Sequence, residues 1–485
     1  MRTKTMGTTE VDGASGNETA LAATGIAGFD EILFGGLPRH AVHLVEGEPG
    51  TGKTTVGLQF LLEGARRGET TLFITIAQSA RDLGRSAASH GFDTAGITVE
   101  EIKTLDLARE AAQRQTVLHT ADVELSSMIA GIRGAIERSK PERVVLDSLF
   151  ELRLLSGDSL GYRRELILLK EFVVAAGATA LFLDYPGPEL GDRQLEGLAH
   201  GVVLLEASVP EYGASLRRVC VAKMRGHRFV EGWHDLVIRT GGVAVFPRVV
   251  PELTGTPLNG DHVACAIPEL DEMLGGGLEH GTTCLIVGQA GTGKSTLGTV
   301  YARAAAQRGD RAAMFLFEER PEVFRRRSSD IGLDLAEVEA SGALALTHYN
   351  PAETSPGEFA RAVVSAVVDE GARVVVIDSL TGYLGALPEG RDLVVQLHSL
   401  LSFLSRRNVL TILVMAQHGL LGGAVRMEAD TSYLADTVVL LRYGTEGSDL
   451  RRTVTVVKKR HGDHETAARE LVIGGETVAV RDVAA

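Results

Sequence analysis

Short hydrophobic runs recur along this chain, and in most of them the apolar residues are continuous rather than alternating. In the first half these runs occupy 41–45, 71–76, 143–147 and 178–184. Continuous runs of this length predict strands buried on both faces, as in a parallel sheet. The intervening segments 79–90, 126–139 and 162–176 carry the helical period. The runs at 201–206 and 216–224, with a turn at Pro210, and a pair within 235–246 follow too closely for crossover helices. They predict an antiparallel edge. The second half repeats the order, with strands expected at 284–287, 312–317, 373–378, 410–416, 436–441 and 453–458 and a helix at 297–307 that stops at Gly309. The expected class is α/β: two tandem, mostly parallel sheets flanked by helices.

The two halves are copies. Lys294 follows Lys53 by 241 positions, and the same offset joins Asp30-Glu31 to Asp271-Glu272, Gly35-Gly36-Leu37 to Gly276-Gly277-Leu278 and Gly68 to Gly309. An offset of 235 joins Lys223-Met-Arg225 to Lys458-Lys459-Arg460 and Leu236-Val-Ile238 to Leu471-Val-Ile473. So many matches in register mean an internal duplication. We expect a disordered tail at 1–20, rich in Thr, Gly, Ser and charge. Domains follow at 21–246 and 261–485. The linker at 247–260 is stiffened by Pro247, Pro251 and Pro257.

Composition narrows the function classes. Forty-nine basic residues stand against 63 acidic ones, a net charge of −14, so the basic footprint of a nucleic-acid binder is missing and none is expected as a partner. Cys220, Cys265 and Cys284 lack the spacing of a disulfide or zinc framework and suit a reduced, cytoplasmic protein. The N-terminal residues lack the apolar centre of a signal peptide, and no apolar run approaches a membrane span.

The strands at 284–287 and 41–45 each run into a glycine-rich loop and then a helix. The loops are Gly288-Gln-Ala-Gly291-Thr292-Gly293-Lys294-Ser295-Thr296 and Gly47-Glu-Pro-Gly50-Thr51-Gly52-Lys53-Thr54-Thr55. Both fit G-x-x-x-x-G-K-[ST] in the strand–loop–helix context that gives this P-loop motif its meaning. The glycines let backbone N–H groups close around a polyphosphate at the positive end of the new helix. Lys53 and Lys294 would reach its terminal phosphates, and the hydroxyls of Thr54 and Ser295 would hold Mg²⁺. The strands ending in Asp147-Ser and Asp378-Ser supply the Walker B carboxylates for that ion. ATP and Mg²⁺ are the expected ligands.

The sites differ at the next strand. Phe315-Leu-Phe317 runs into Glu318-Glu319, 24 residues past Lys294, where a carboxylate can orient a hydroxyl for attack on the γ-phosphate. The positions 241 earlier are Ala77 and Gln78, which cannot accept a proton. The first site is therefore expected to bind nucleotide without a base. Lys223, Arg225, Lys458 and Arg460 read either as solvated strand ends or as cations offered to a phosphate in a neighbouring subunit.

The tandem P-loops, the Asp-Glu lead-ins, the Glu318-Glu319 pair, the Asp-Ser strand ends and the Lys-x-Arg pairs together resemble the KaiC family of the RecA superfamily, over about residues 21–481. The resemblance implies RecA-like folds in hexameric double rings, ATP held between adjacent subunits, ATPase activity and, in clock members, autophosphorylation of the second domain. It implies Glu318 as catalytic glutamate, Glu319 as its companion, and Lys223, Arg225, Lys458 and Arg460 as cations delivered across the subunit boundary. The phospho-acceptor register falls on Thr431-Ser432-Tyr433-Leu434-Ala435-Asp436-Thr437, with Ser432 as first acceptor, Tyr433 in place of the second and Thr431 one residue upstream. Ala485 comes five residues after Val480 of the last repeated strand. Clock members carry a longer segment there that recruits an activating partner, and that route is expected to be closed. The resulting expectation is a hexameric signalling or timing ATPase and serine/threonine autokinase that works with a signalling partner protein. A RecA/RadA-like DNA-dependent ATPase and a nucleotide-sensing scaffold with little turnover are the alternatives.

Overall fold

Strands that are apolar on both faces need cover on both, and the helices between them provide it. The computed structural model describes residues 20–76, 78–102, 120–156, 159–185, 194–251, 260–385, 391–417, 432–446, 449–475 and 477–483. The expected tail, most of the linker, Ala77 and Thr431 lie outside the described residues. Contacts divide the described chain into two units. One runs through Ala207 and resumes at Arg217–Val245; the other comprises Ser208–Leu216 and the chain from Phe246 onward.

Each unit holds one nine-stranded sheet. In the first, Val42–Gly47 lies between Thr179–Asp184 and Gly201–Ser208, parallel to both. Arg143–Asp147, Thr71–Thr75 and Thr98–Glu101 continue the parallel order outward. On the other side Leu216–Met224, Trp233–Arg239 and Gly242–Phe246 extend the sheet. The second sheet repeats this plan around Thr283–Gly288, with Leu410–Ala416 and Thr437–Glu446 as its parallel neighbours. An antiparallel extension follows through Asp449–Lys459, Arg469–Gly474 and Thr477–Asp482. Apolar clusters fill both faces of each sheet.

Two strands escaped the sequence pattern. Thr98–Glu101 and Leu344–His348 form the outer parallel edges. The first reads Thr-Val-Glu-Glu and none of its residues is fully buried, so no apolar run marks it. Backbone pairing to Thr71–Thr75 makes it a strand.

Both P-loop helices begin at the lysine, as Lys53–Arg66 and Lys294–Gln307. Their preceding residues, Gly52 and Gly293, sit in the left-handed region at φ 104° and 101°. A side chain there would also collide: a Cβ on Gly52 would stand 2.7 Å from Ile238 Cδ1, and one on Gly293 would meet Ile473. The antiparallel extension of each sheet thus packs its isoleucine onto the turn that opens the helix.

Candidate functional site

Each loop is braced from within. Thr51 Oγ1 donates to Glu48 O and Thr292 Oγ1 to Gln289 O, both at 2.8 Å, and both threonines are fully buried. Lys53 Nζ donates to Gly47 O at 2.6 Å and Glu48 O at 3.1 Å, and Lys294 Nζ to Gln289 O at 2.7 Å. Burial pushes both ammonium groups down from their ordinary value, while Asp147 and Asp378 respectively pull them back up. A second brace was not foreseen: Arg217 Nε donates to Gly50 O and Arg452 Nε to Gly291 O, each at 3.1 Å. Its signal in the sequence was the same 235-residue offset, with no motif to draw attention to it.

The loops meet the Walker B strands directly. Thr54 Oγ1 donates to Asp147 Oδ2 at 2.8 Å, and Ser295 hydrogen-bonds Asp378. Both following peptide bonds, Asp147-Ser148 and Asp378-Ser379, are cis. Burial pushes Asp147 up from the usual carboxylate range, against the hydrogen bond from Thr54. Burial also raises Asp378, to about 6; the Ser295 hydrogen bond opposes the shift and the Glu318 charge adds to it. A hydroxyl beside a buried carboxylate is an all-oxygen donor pair of the kind Mg²⁺ takes, with substrate phosphate and water completing its shell. The lysine and the left-handed glycine suit a polyphosphate above it. Thr55 and Thr296 are buried behind the loops. These residues therefore fit ATP with Mg²⁺.

In the second site the two adjacent acids part. Ser379 Oγ donates to Glu318 Oε1 and accepts from Gly382 N at 3.1 Å, so Glu318 is held beside the Walker B strand end. Glu319 turns to Arg327, with Nη2–Oε2 at 2.9 Å. In the first site Ser148 Oγ donates at 2.5 Å to Glu151 Oε2. Glu151 lies on the short helix Leu149–Leu154 and was not singled out from the sequence. A cavity of about 650 Å³ is lined by Lys53, Thr54, Asp147, Ser148 and Glu151.

The Lys-x-Arg pairs are not brought to the P-loops of their own domains. Cys284 pairs with Thr437, which pairs with Lys459, whereas Gly288 pairs with Leu441. Lys458 and Arg460 thus stand at the amino end of the P-loop strand, and the loop leaves its carboxyl end. Lys458 Nζ donates to Ala435 O at 2.7 Å, and Arg460 reaches Asp436 Oδ1 and Tyr433 O, both at 3.1 Å. In the first domain Lys223 Nζ donates to Glu196 O and Ala199 O, and Arg225 Nη2 to Gly197 O at 2.8 Å. Ser432 opens the 3-10 turn Ser432–Leu434 that Arg460 holds; its side chain lies outside the described part of that turn.

Two comparisons bear on this geometry. A family model described as "ATPase: KaiC" matches residues 22–250 and again 263–484. Among curated proteins, the chain is 28% identical over 476 residues to the "Circadian clock oscillator protein KaiC" of Thermostichus vulcanus, covering 96% of this chain and 90% of that protein. It is 29% identical over 485 residues to the protein of that name from Prochlorococcus marinus (strain MIT 9313), covering 98% and 96%. It is 28% identical over 457 residues to the "Circadian clock protein KaiC3" of a Synechocystis species, covering 93% and 89%. The family match falls once on each of the two P-loop sheets, and on that ground the chain belongs to the KaiC family of ATPases, with the domain present in tandem.

Proposed function

We propose that this protein assembles with ATP into a homohexamer, hydrolyses ATP with Mg²⁺ in its second domain and transfers phosphate to Ser432, with Thr431 as the lesser acceptor. The observation that carries this reading is the distance between each Lys-x-Arg pair and its own P-loop, at opposite ends of the same strand. If such a cation completes a nucleotide site, that site belongs to another subunit. A ring of head-to-tail contacts supplies that arrangement.

In the second domain Lys294 and the loop amides hold the terminal phosphates, and Ser295 and Asp378 hold Mg²⁺, which neutralises charge on the phosphates. Glu318 accepts the proton of the attacking water or of the Ser432 hydroxyl. Oxygen bonds to phosphorus as the bond to the bridging oxygen of the departing ADP breaks. Transfer needs the acceptor oxygen within about 3–3.5 Å and in line. Tyr433, whose phenol is longer than a threonine side chain, leaves one acceptor rather than an adjacent pair. Three free cysteines, two of them buried, suit a reducing cytoplasm. The relatives are named as circadian clock proteins, which supports a role in timing; a signalling partner protein is part of the proposal.

The test is incubation with γ-labelled ATP and Mg²⁺. Label on a peptide spanning Met427 to Arg442, together with released phosphate, supports the reading. Phosphate release without labelled peptide reduces it to an ATPase. The absence of both labelled peptide and released phosphate would overturn it.

A further inference from the structure

The carboxylate that the first site lacks after its second strand has a counterpart elsewhere in the same site. Ser148 and Ser379 are equivalent, each following its Walker B aspartate through a cis peptide bond. Each donates its hydroxyl proton to one glutamate: Ser379 to Glu318, and Ser148 to Glu151. The two glutamates come from different elements. Counting from the paired serines, the counterpart of Glu151 is Gly382; counting from the P-loop lysines, the counterpart of Glu318 is Ala77.

The exchange is reciprocal for a steric reason. A Cβ on Gly382 would stand 3.2 Å from Phe317 Cβ, 3.4 Å from Glu318 Cγ and 3.5 Å from Glu318 Oε1. The space beside the serine hydroxyl takes one side chain, from the strand end or from the short helix. The second domain fills it with Glu318 and keeps glycine on the helix, and the first fills it with Glu151. The electrostatic surroundings correspond as well. The charge of Glu151 acts on both Lys53 and Asp147, as that of Glu318 acts on Lys294 and Asp378.

Ser148-Leu-Phe-Glu151 also has the spacing of a capping box, in which the serine oxygen accepts a backbone amide. Ser148 makes no such bond at the helix start, and its hydroxyl goes to the carboxylate instead. The side chain lines the same cavity as Lys53, Thr54 and Asp147.

We propose that Glu151 is the general base of the first site, so that this domain hydrolyses ATP by a carboxylate moved from the strand end to the following helix. The inference rests on the ATPase reading above and replaces the first site without a base that the sequence led us to expect. Glu151 takes a proton from a water whose oxygen bonds to the γ-phosphorus. The bond between that phosphorus and the β–γ bridging oxygen breaks, leaving ADP and inorganic phosphate.

The test uses the full chain and compares wild type, Glu318→Gln, and Glu318→Gln with Glu151→Gln. Phosphate release at saturating ATP and Mg²⁺ is measured beside binding of a fluorescent ATP analogue and thermal melting. Glutamine keeps the hydrogen bond to Ser148 and the capping preference, so a role confined to the helix would leave turnover unchanged. The expected result is release that persists in Glu318→Gln and falls roughly 10²–10⁴-fold in the double variant, as a loss of kcat with KM, analogue binding and melting retained. Equal release from the single and double variants, or none from Glu318→Gln while wild type is active, would overturn the assignment and leave the ATPase reading standing. Wild type that releases no phosphate would remove that reading and this one with it.

Discussion

Thr54 Oγ1 lies 2.8 Å from Asp147 Oδ2, a hydrogen bond across 93 residues that ties the P-loop to the end of the strand Arg143–Asp147. Ser295 and Asp378 repeat the relation in the second domain. The pair sets two oxygens side by side. In the proposed site these are the oxygens that would hold Mg²⁺.

Removing the carboxylate should therefore weaken the ion more than the nucleotide. For Asp378→Asn we expect the Mg²⁺ concentration needed for half-maximal turnover to rise by at least roughly 10–100-fold, the range seen when the support of a metal site is removed. Binding of the nucleotide analogue without Mg²⁺ should change little. A Mg²⁺ titration of phosphate release in the Asp378→Asn chain checks this.

The opposed placement of loop and Lys-x-Arg pair predicts complementation between subunits. Lys294→Ala and Lys458→Ala chains should each lose second-domain turnover and labelling. Mixed before ATP is added, they should recover part of it, because roughly a quarter of randomly formed head-to-tail interfaces carry both lysines. Recovery is read as labelled peptide and released phosphate. Sites contained within one chain would give no recovery at any mixing ratio.

Each strand that ends in the Asp-Ser pair carries a paired arginine near its start, at different burial. Arg143 is wholly buried, pairs with Glu69, lies 4.6 Å from the Phe60 ring centre and donates to Phe60 O at 2.9 Å. In the second domain the register counterpart of Arg143 is Val374, and the preceding Arg373 stands 3.7 Å from Asp310 with both side chains partly in solvent. Glu69→Ala leaves a buried guanidinium without its carboxylate and should cost about 3–5 kcal/mol. Asp310→Ala should cost about 0–1 kcal/mol. Calorimetry of the two variants gives the comparison directly.

His43 makes the first domain sensitive to acid. It is fully buried on the P-loop strand, with Nε2 2.9 Å from Pro38 O and Nδ1 unpartnered. Burial, joined by the charges of His200 and His227 and opposed by the hydrogen bond with Pro38 O, pushes its imidazole down to about 4. The unfolded chain binds the proton from about pH 6.5 downward and the folded chain only near pH 4, so stability is complete above pH 6.5 and falls as pH drops through that window. The loss by pH 5 is about 2 kcal/mol. Trp233, the sole tryptophan, lies in the first domain and reports its unfolding. His43→Gln should flatten the pH dependence of that signal between 8 and 5.

The sequence alone determined the duplication, the α/β class, both P-loops and the two strands that end in Asp147 and Asp378. Each is written in contiguous residues at fixed spacing, and local backbone requirements such as the left-handed Gly52 and Gly293 permit few alternatives. It also marked Glu318-Glu319, but could not divide their roles: only the fold turns Glu319 to Arg327 and Glu318 to Ser379. The edge strand Thr98–Glu101 was illegible because pairing to its neighbour, rather than burial, makes it a strand. Glu151 was illegible for a related reason. Reading the first site at the strand end found Ala77 and stopped, because spacing compares positions and not the space they fill. Tertiary packing decides that two elements converge on one serine hydroxyl, and that a carboxylate from either can occupy the room beside it.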